Sequence, residues 1–71
     1  GPEYGPYLVL LEKIREELKQ QVENKALRNQ IEEALLDVPA LPLLAEDQHD
    51  EAERLLRACV ARMTDEAKGQ A

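Results

Sequence analysis

Residues 7–38, YLVLLEKIREELKQQVENKALRNQIEEALLDV, contain two apolar stripes and neither Pro nor Gly. The first stripe consists of Tyr7, Leu11, Ile14, Leu18 and Val22; the second consists of Leu27, Ile31, Ala34, Leu35 and Val38. Steps of three and four residues predict α-helix. At about 100° per residue, however, the second stripe falls on the opposite side of the cylinder. This predicts either a break near residues 23–26, with Asn24 as N-cap, or one straight helix whose halves pack on different neighbours, as in a dimer.

The next segment is a connection, because Pro39 and Pro42 interrupt any continuous helix. With a break, the preceding helices span about 7–23 and 25–37. Flexible linkers are polar, whereas residues 38–46 are rich in leucine. We therefore predict a buried connection laid across the helices, with a helical turn at residues 41–45.

The last part of the chain predicts a helix over residues 49–68. Its apolar stripe consists of Ala52, Leu55, Leu56, Cys59, Val60, Met63 and Ala67. Asp50 and Glu53 fit a capping box, with Asp47 as a competing cap. Acidic residues at the start, followed by arginines, match the charge order that a helix dipole favours.

The two ends of the chain differ from this helical pattern. Residues 1–6 contain two Gly and two Pro, which predicts a flexible leader before a single helical domain at 7–68. Gly1 and Pro2 are typical of the remnant of a cleaved tag, so we expect a fragment of a longer protein. Gly69 predicts a helix stop, with a flexible tail over 69–71.

Composition argues against an enzyme. The 71 residues include no Ser and only one Thr, one His and one Cys, which excludes most nucleophilic catalysis and Cys- or His-based metal clusters. We expect no catalytic, metal or cofactor site. His49 lies among acids that a helix start favours, although metal or pH-sensitive roles stay open. Cys59 is predicted to pack as a small hydrophobe.

The net charge of the chain limits the classes of molecule that it can bind. Fifteen acidic against nine basic residues give a net charge of −6, the wrong balance for a nucleic-acid binder. No apolar run spans a bilayer, and the first helix lacks the basic face of a membrane-surface helix. A lone cysteine and no visible signal peptide predict an intracellular setting, in the cytoplasm or nucleus. We expect protein partners and no small-molecule substrate.

The fold class predicted is all-α, a small bundle of two long or three shorter helices. So short a chain is marginally stable alone, yet it carries more apolar stripe than one small bundle can bury. We expect oligomerisation to complete a four-helix-type bundle. The predicted function is a non-catalytic homodimerisation or docking domain of a larger protein. The alternative is a monomeric adaptor whose apolar groove binds an amphipathic helix of a different protein.

In size and shape, such a domain is similar to helical scaffold-assembly modules and to the docking domains of multienzyme synthases. Fourteen residues are predicted to form the core or partner interface: Leu11, Ile14, Leu18, Val22, Leu27, Ile31, Leu35, Leu41, Leu43, Leu44, Leu55, Leu56, Cys59 and Met63. Arg54, Arg57 and Arg62 are possible contacts for an acidic partner.

Overall fold

The computed structural model describes residues 1–70, which fold as four α-helices with no strand in that range. The helices are α1 (Tyr4–Gln21), α2 (Lys25–Leu35), α3 (Leu41–Ala45) and α4 (His49–Gly69). The predicted all-α fold class is therefore confirmed. None of these four helices has the length and apolar character needed to cross a membrane.

The helices pack around one aliphatic core. α1 and α2 form an antiparallel hairpin, and α4 packs on α2 and α3 while running parallel to α1. The buried side chains come from all four helices and from the connections between them. They are Tyr7, Leu11, Ile14, Leu18, Val22, Ile31, Leu35, Ala40, Leu44, Ala52, Leu56 and Cys59.

The helix break between the two stripes is present. α1 ends at Gln21, and the Asn24 side chain accepts a hydrogen bond from the Leu27 amide at 2.9 Å, as an N-cap does. Arg28 donates to the main-chain carbonyls of Val22 and Glu23 on the other side of the turn. The reversal of chain direction lets both stripes face one core, which confirms the first of the two alternatives.

The connection after α2 is only partly buried, so the prediction of a wholly buried segment is wrong in part. Ala40 and Leu44 are buried, and Leu41 and Leu43 are half-buried. α3 forms at the predicted helical turn. A single turn of helix lying on the core presents its other side to solvent, which leaves Pro39, Pro42, Ala45 and Glu46 exposed.

The first helix begins earlier than predicted. Three residues of the expected leader, Tyr4 to Pro6, belong to α1. Pro6 lies in the first helical turn, where its missing N–H removes no intrahelical bond. The amides of Tyr4 and Tyr7 donate to the carbonyls of Gly1 and Glu3.

The predicted capping box of α4 is wrong, and so is its competing cap. The helix begins at His49 with Gln48 as N-cap, and no side chain caps it. Asp47 adopts a left-handed conformation (φ 61°), and the Gln48 amide donates to the Leu43 carbonyl at 2.8 Å. This tight turn leads directly from α3 into α4, which places Asp50 inside the first turn.

The C-terminal end of α4 also differs from the prediction. Gly69 is still helical rather than part of a flexible tail. Ala71, the last residue of the predicted tail, lies outside the described residues.

Candidate interaction surfaces

Four large apolar side chains lie outside the core, at the end of the molecule where α1 begins and α2 finishes. Tyr4, Leu8, Val9 and Leu36 are exposed to 54, 51, 71 and 65%. We call these four residues the N-terminal patch. Single exposed apolar residues are normal on the surface of a monomeric protein, whereas a large contiguous apolar patch marks an interaction site.

The helix hairpin brings the patch residues to one end. Tyr4 and Leu8 are one turn apart on the same side of α1. The ion pair of Arg15 with Glu32, at 3.0 Å, fixes the register of α1 against α2. Leu36 lies one turn beyond Glu32, and Leu8 lies about two turns before Arg15. Both leucines therefore project from the same end of the hairpin.

The patch is continuous with the core beneath it. Leu36 and the buried Leu11 line a shallow depression of about 290 Å³. The ring of Tyr4 is 6.2 Å from that of Tyr7, at an angle of 57°, within the range of favourable aromatic pairs. Burial, and secondarily the nearby Tyr4, raises the pKa of the Tyr7 hydroxyl. Tyr4 thus extends the apolar core to the surface.

Sequence reasoning missed the patch. It assigned Tyr4 to the leader and named none of Leu8, Val9 and Leu36 as interface residues. A usable signal was present, since residues 8–11 are four consecutive apolar residues. One side of a helix cannot bury such a run, so some of it must face solvent or a partner.

A second candidate surface is a groove of about 730 Å³ between the C-terminal halves of α1 and α4. Apolar and small residues form its floor and sides: Ile14, Leu18, Val22, Leu27, Val60, Ala61, Thr64 and Ala67. The charged residues around it are Glu17, Glu23, Arg57 and Lys68.

Ion pairs bridge α1 and α4 at this groove. The Arg57 guanidinium donates to both carboxylate oxygens of Glu17, at 2.7 and 3.1 Å, and to Glu53 at 2.8 Å. Lys13 lies 3.8 Å from Glu53. The hydrogen bond from Arg57 lowers the pKa of Glu17. The two carboxylates, Glu17 foremost, raise the pKa of Arg57.

Nine of the fourteen predicted interface residues are buried by the chain itself. They are Leu11, Ile14, Leu18, Val22, Ile31, Leu35, Leu44, Leu56 and Cys59. The other five are half-buried: Leu27, Leu41, Leu43, Leu55 and Met63. All except Leu55 belong to the core or pack against it.

The three predicted arginine contacts each have an acidic neighbour within the chain. Arg54 donates to Glu51 at 2.6 and 2.9 Å, which lowers the pKa of Glu51. Arg57 binds Glu17 and Glu53, as described above. Arg62 lies 3.9 Å from Glu66.

His49 and Cys59 occupy different environments. The His49 Nε2 atom lies 2.9 Å from an Asp47 carboxylate oxygen on the exposed turn before α4. Cys59 is a free, buried thiol within the core. Within residues 1–70, no group of three or more His, Cys, Asp or Glu side chains is arranged to hold a metal ion.

The chain also matches a known protein family. The model of the sirohaem synthase dimerisation region matches residues 3–59. The chain belongs to this family. No curated protein and no solved structure gives a match. The sequence-based prediction of a dimerisation module is thus confirmed at the level of the family. The region matched includes the whole N-terminal patch, whereas the α4 wall of the groove beyond Cys59 lies outside it.

Proposed function

We propose that this sirohaem synthase dimerisation region is a non-catalytic homodimerisation module that holds together two copies of a larger protein. The observation that carries the proposal is the family match over residues 3–59. The four exposed side chains of the N-terminal patch support it, because they supply an apolar surface that the monomer leaves in water.

The size of the domain supports the same proposal. An 8.0 kDa chain buries a smaller share of its unfolded surface than a larger domain does. Its core is aliphatic apart from Tyr7 and Cys59, so each buried side chain contributes modestly. Association with a second copy adds buried apolar surface without lengthening the chain.

Mass in solution tests the proposal. Light scattering of the pure chain over a concentration series should give a mass approaching twice 8.0 kDa as the concentration rises. Circular dichroism at each concentration checks that the helices stay folded. A mass of 8.0 kDa throughout, with a cooperative thermal transition, would contradict homodimerisation.

The groove between α1 and α4 favours a second candidate, a monomeric adaptor that receives an amphipathic helix of a different protein. Its mixed apolar floor and charged rim suit a helix-in-groove contact. Under this alternative the pure chain stays monomeric. Ala61→Glu, in the groove wall, would then abolish capture of the partner protein without changing the mass of the pure chain.

The proposed partners are proteins alone. The net charge of −6 supports the exclusion of nucleic acid, and the free thiol of Cys59 supports a reducing, intracellular setting. Fractionation of cells producing the full-length parent protein checks this setting. Recovery in a secreted fraction would contradict it.

A further inference from the structure

We infer that a second copy of this chain covers the N-terminal patch, in a two-fold contact that joins the patch of each copy to the same patch of the other. The inference rests on the proposed homodimerisation and adds the surface that performs it. Tyr4, Leu8 and Leu36 would form the centre of the contact. Val9 follows Leu8 in the chain but is rotated about 100° around α1 from it, so it would lie at the edge of the contact.

The range of the family match favours the patch over the groove. A family defined as a dimerisation region matches residues 3–59. All four patch residues lie within that range. In contrast, five of the groove-lining residues lie beyond it, namely Val60, Ala61, Thr64, Ala67 and Lys68. Without them, the groove loses most of its α4 wall.

The chemistry of the two surfaces also differs. Exposed charged residues adjoin the patch, since Glu12 lies one turn after Leu8 and Asp37 follows Leu36. An apolar centre with a polar rim is typical of protein–protein interfaces. The groove is crossed by the paired charges of Glu17 and Arg57. Covering those groups would remove water from an ion pair, which costs free energy unless the pair stays satisfied.

The size of the N-terminal patch determines how strong a dimer we expect. Its four side chains are exposed to between 51 and 71% and form a small apolar surface. With a polar rim, this gives an interface below the standard size of stable complexes. We therefore expect a dissociation constant in the micromolar range. Because each patch meets its own equivalent, the assembly closes at two copies.

Single substitutions in the full 71-residue chain test this surface. Leu8→Glu and Leu36→Glu each place a charge in the patch, at side chains already more than half exposed. Gln20→Glu is the matched control, because it adds the same charge on an exposed position of α1 outside the patch. Ala61→Glu adds the same charge in the wall of the groove. Sedimentation equilibrium gives each dissociation constant, and circular dichroism verifies each fold.

We expect Leu8→Glu and Leu36→Glu to raise the dissociation constant at least about 30-fold, because each buried residue occurs twice in a two-fold interface. Gln20→Glu and Ala61→Glu should dimerise as the wild type does. If Leu8→Glu also disturbs α1, Leu36→Glu decides, since Leu36 follows the last residue of α2.

Two results would overturn the inference in different ways. If both patch variants dimerise normally while Ala61→Glu dissociates, the groove is the interface and the proposed homodimerisation stands. If the wild-type chain is monomeric at every concentration, homodimerisation fails and the surface assignment fails with it.

Discussion

At the scale of single residues, Arg57 hydrogen-bonds α4 to α1, next to the ion pair of Lys13 with Glu53. It donates to Glu17 across the groove and to Glu53 on its own helix. Exposed ion pairs contribute little singly, but a guanidinium bound by both oxygens of one carboxylate and by a second acid is among the stronger arrangements. The sequence analysis gave Arg57 as a contact for an acidic partner, and the packing of α4 beside α1 shows that Glu17 of the same chain is the carboxylate it meets.

The pKa of Glu17 gives a prediction about acid stability. Arg57 lowers the pKa of Glu17 in the folded chain, so the folded state binds this proton less readily than the unfolded chain. The resulting stabilisation is complete above the ordinary pKa of 4.5 and is lost as the pH falls through the lowered value. Glu17→Gln should therefore lower the melting temperature at neutral pH by a few °C. It should also reduce the fall in melting temperature on acidification.

Thermal melts from about pH 7 to about pH 3 check this prediction. Glu33→Gln is the control, because Glu33 is exposed and makes no ion pair within residues 1–70. Equal pH profiles for the wild type and Glu17→Gln would show that the Glu17–Arg57 contact does not stabilise the fold.

At the scale of elements, the turn between α1 and α2 depends on Asn24. Its side chain satisfies the Leu27 amide, one of the amides that a helix start leaves without a partner. Asn24→Ala should lower the free energy of unfolding by about 1 kcal/mol, measured by urea denaturation. Asn29→Ala, at an exposed position inside α2, should have no such effect, because Ala is the better helix former there. Equal losses for the two variants would contradict a capping role.

The sequence predicted this break as one of two alternatives, because two stripes of fixed helical spacing were out of phase. It also predicted the core positions of Ile31 and Leu56, since apolar spacing reports which side of a helix is covered. It failed at helix ends, which depend on fewer residues. Asp50 has a capping sequence, but the left-handed turn at Asp47 starts α4 two residues too early for that cap.

The N-terminal patch could not be predicted from the sequence, and the reason differs from that for the helix ends. Whether Leu8 and Leu36 lie together depends on how far α2 extends alongside α1, and the Arg15–Glu32 register sets that relation. Spacing within one helix carries no information about register between helices. Tyr4 was assigned to the leader because its neighbours are Gly and Pro. The first turn of a helix accommodates such residues.

At the scale of the whole molecule, the domain is elongated, measuring about 40 by 18 by 16 Å. A narrow bundle has a large surface for its volume. The ion pairs of Lys13 with Glu53 and of Glu17 with Arg57 align α4 beside α1, and on that register α4 begins, at His49, level with Val9 of α1. Apolar residues at one end of α1 consequently lie beyond the reach of α4. The family match supports a second copy of this chain as the partner that covers them.

If pairing covers the N-terminal patch, then folding and dimerisation are coupled, and stability depends on concentration. Mass action stabilises a dimer relative to its unfolded chains as the total concentration rises. Over a hundredfold range, the melting temperature of the wild type should increase by about 5–10 °C, given the unfolding entropy of a domain this small. The melting temperature of Leu8→Glu should rise much less with concentration, because its dissociation constant is higher, whereas Gln20→Glu should follow the wild type. Calorimetry at each concentration measures this, and a concentration-independent melt of the wild type would show that the monomer is the folding unit.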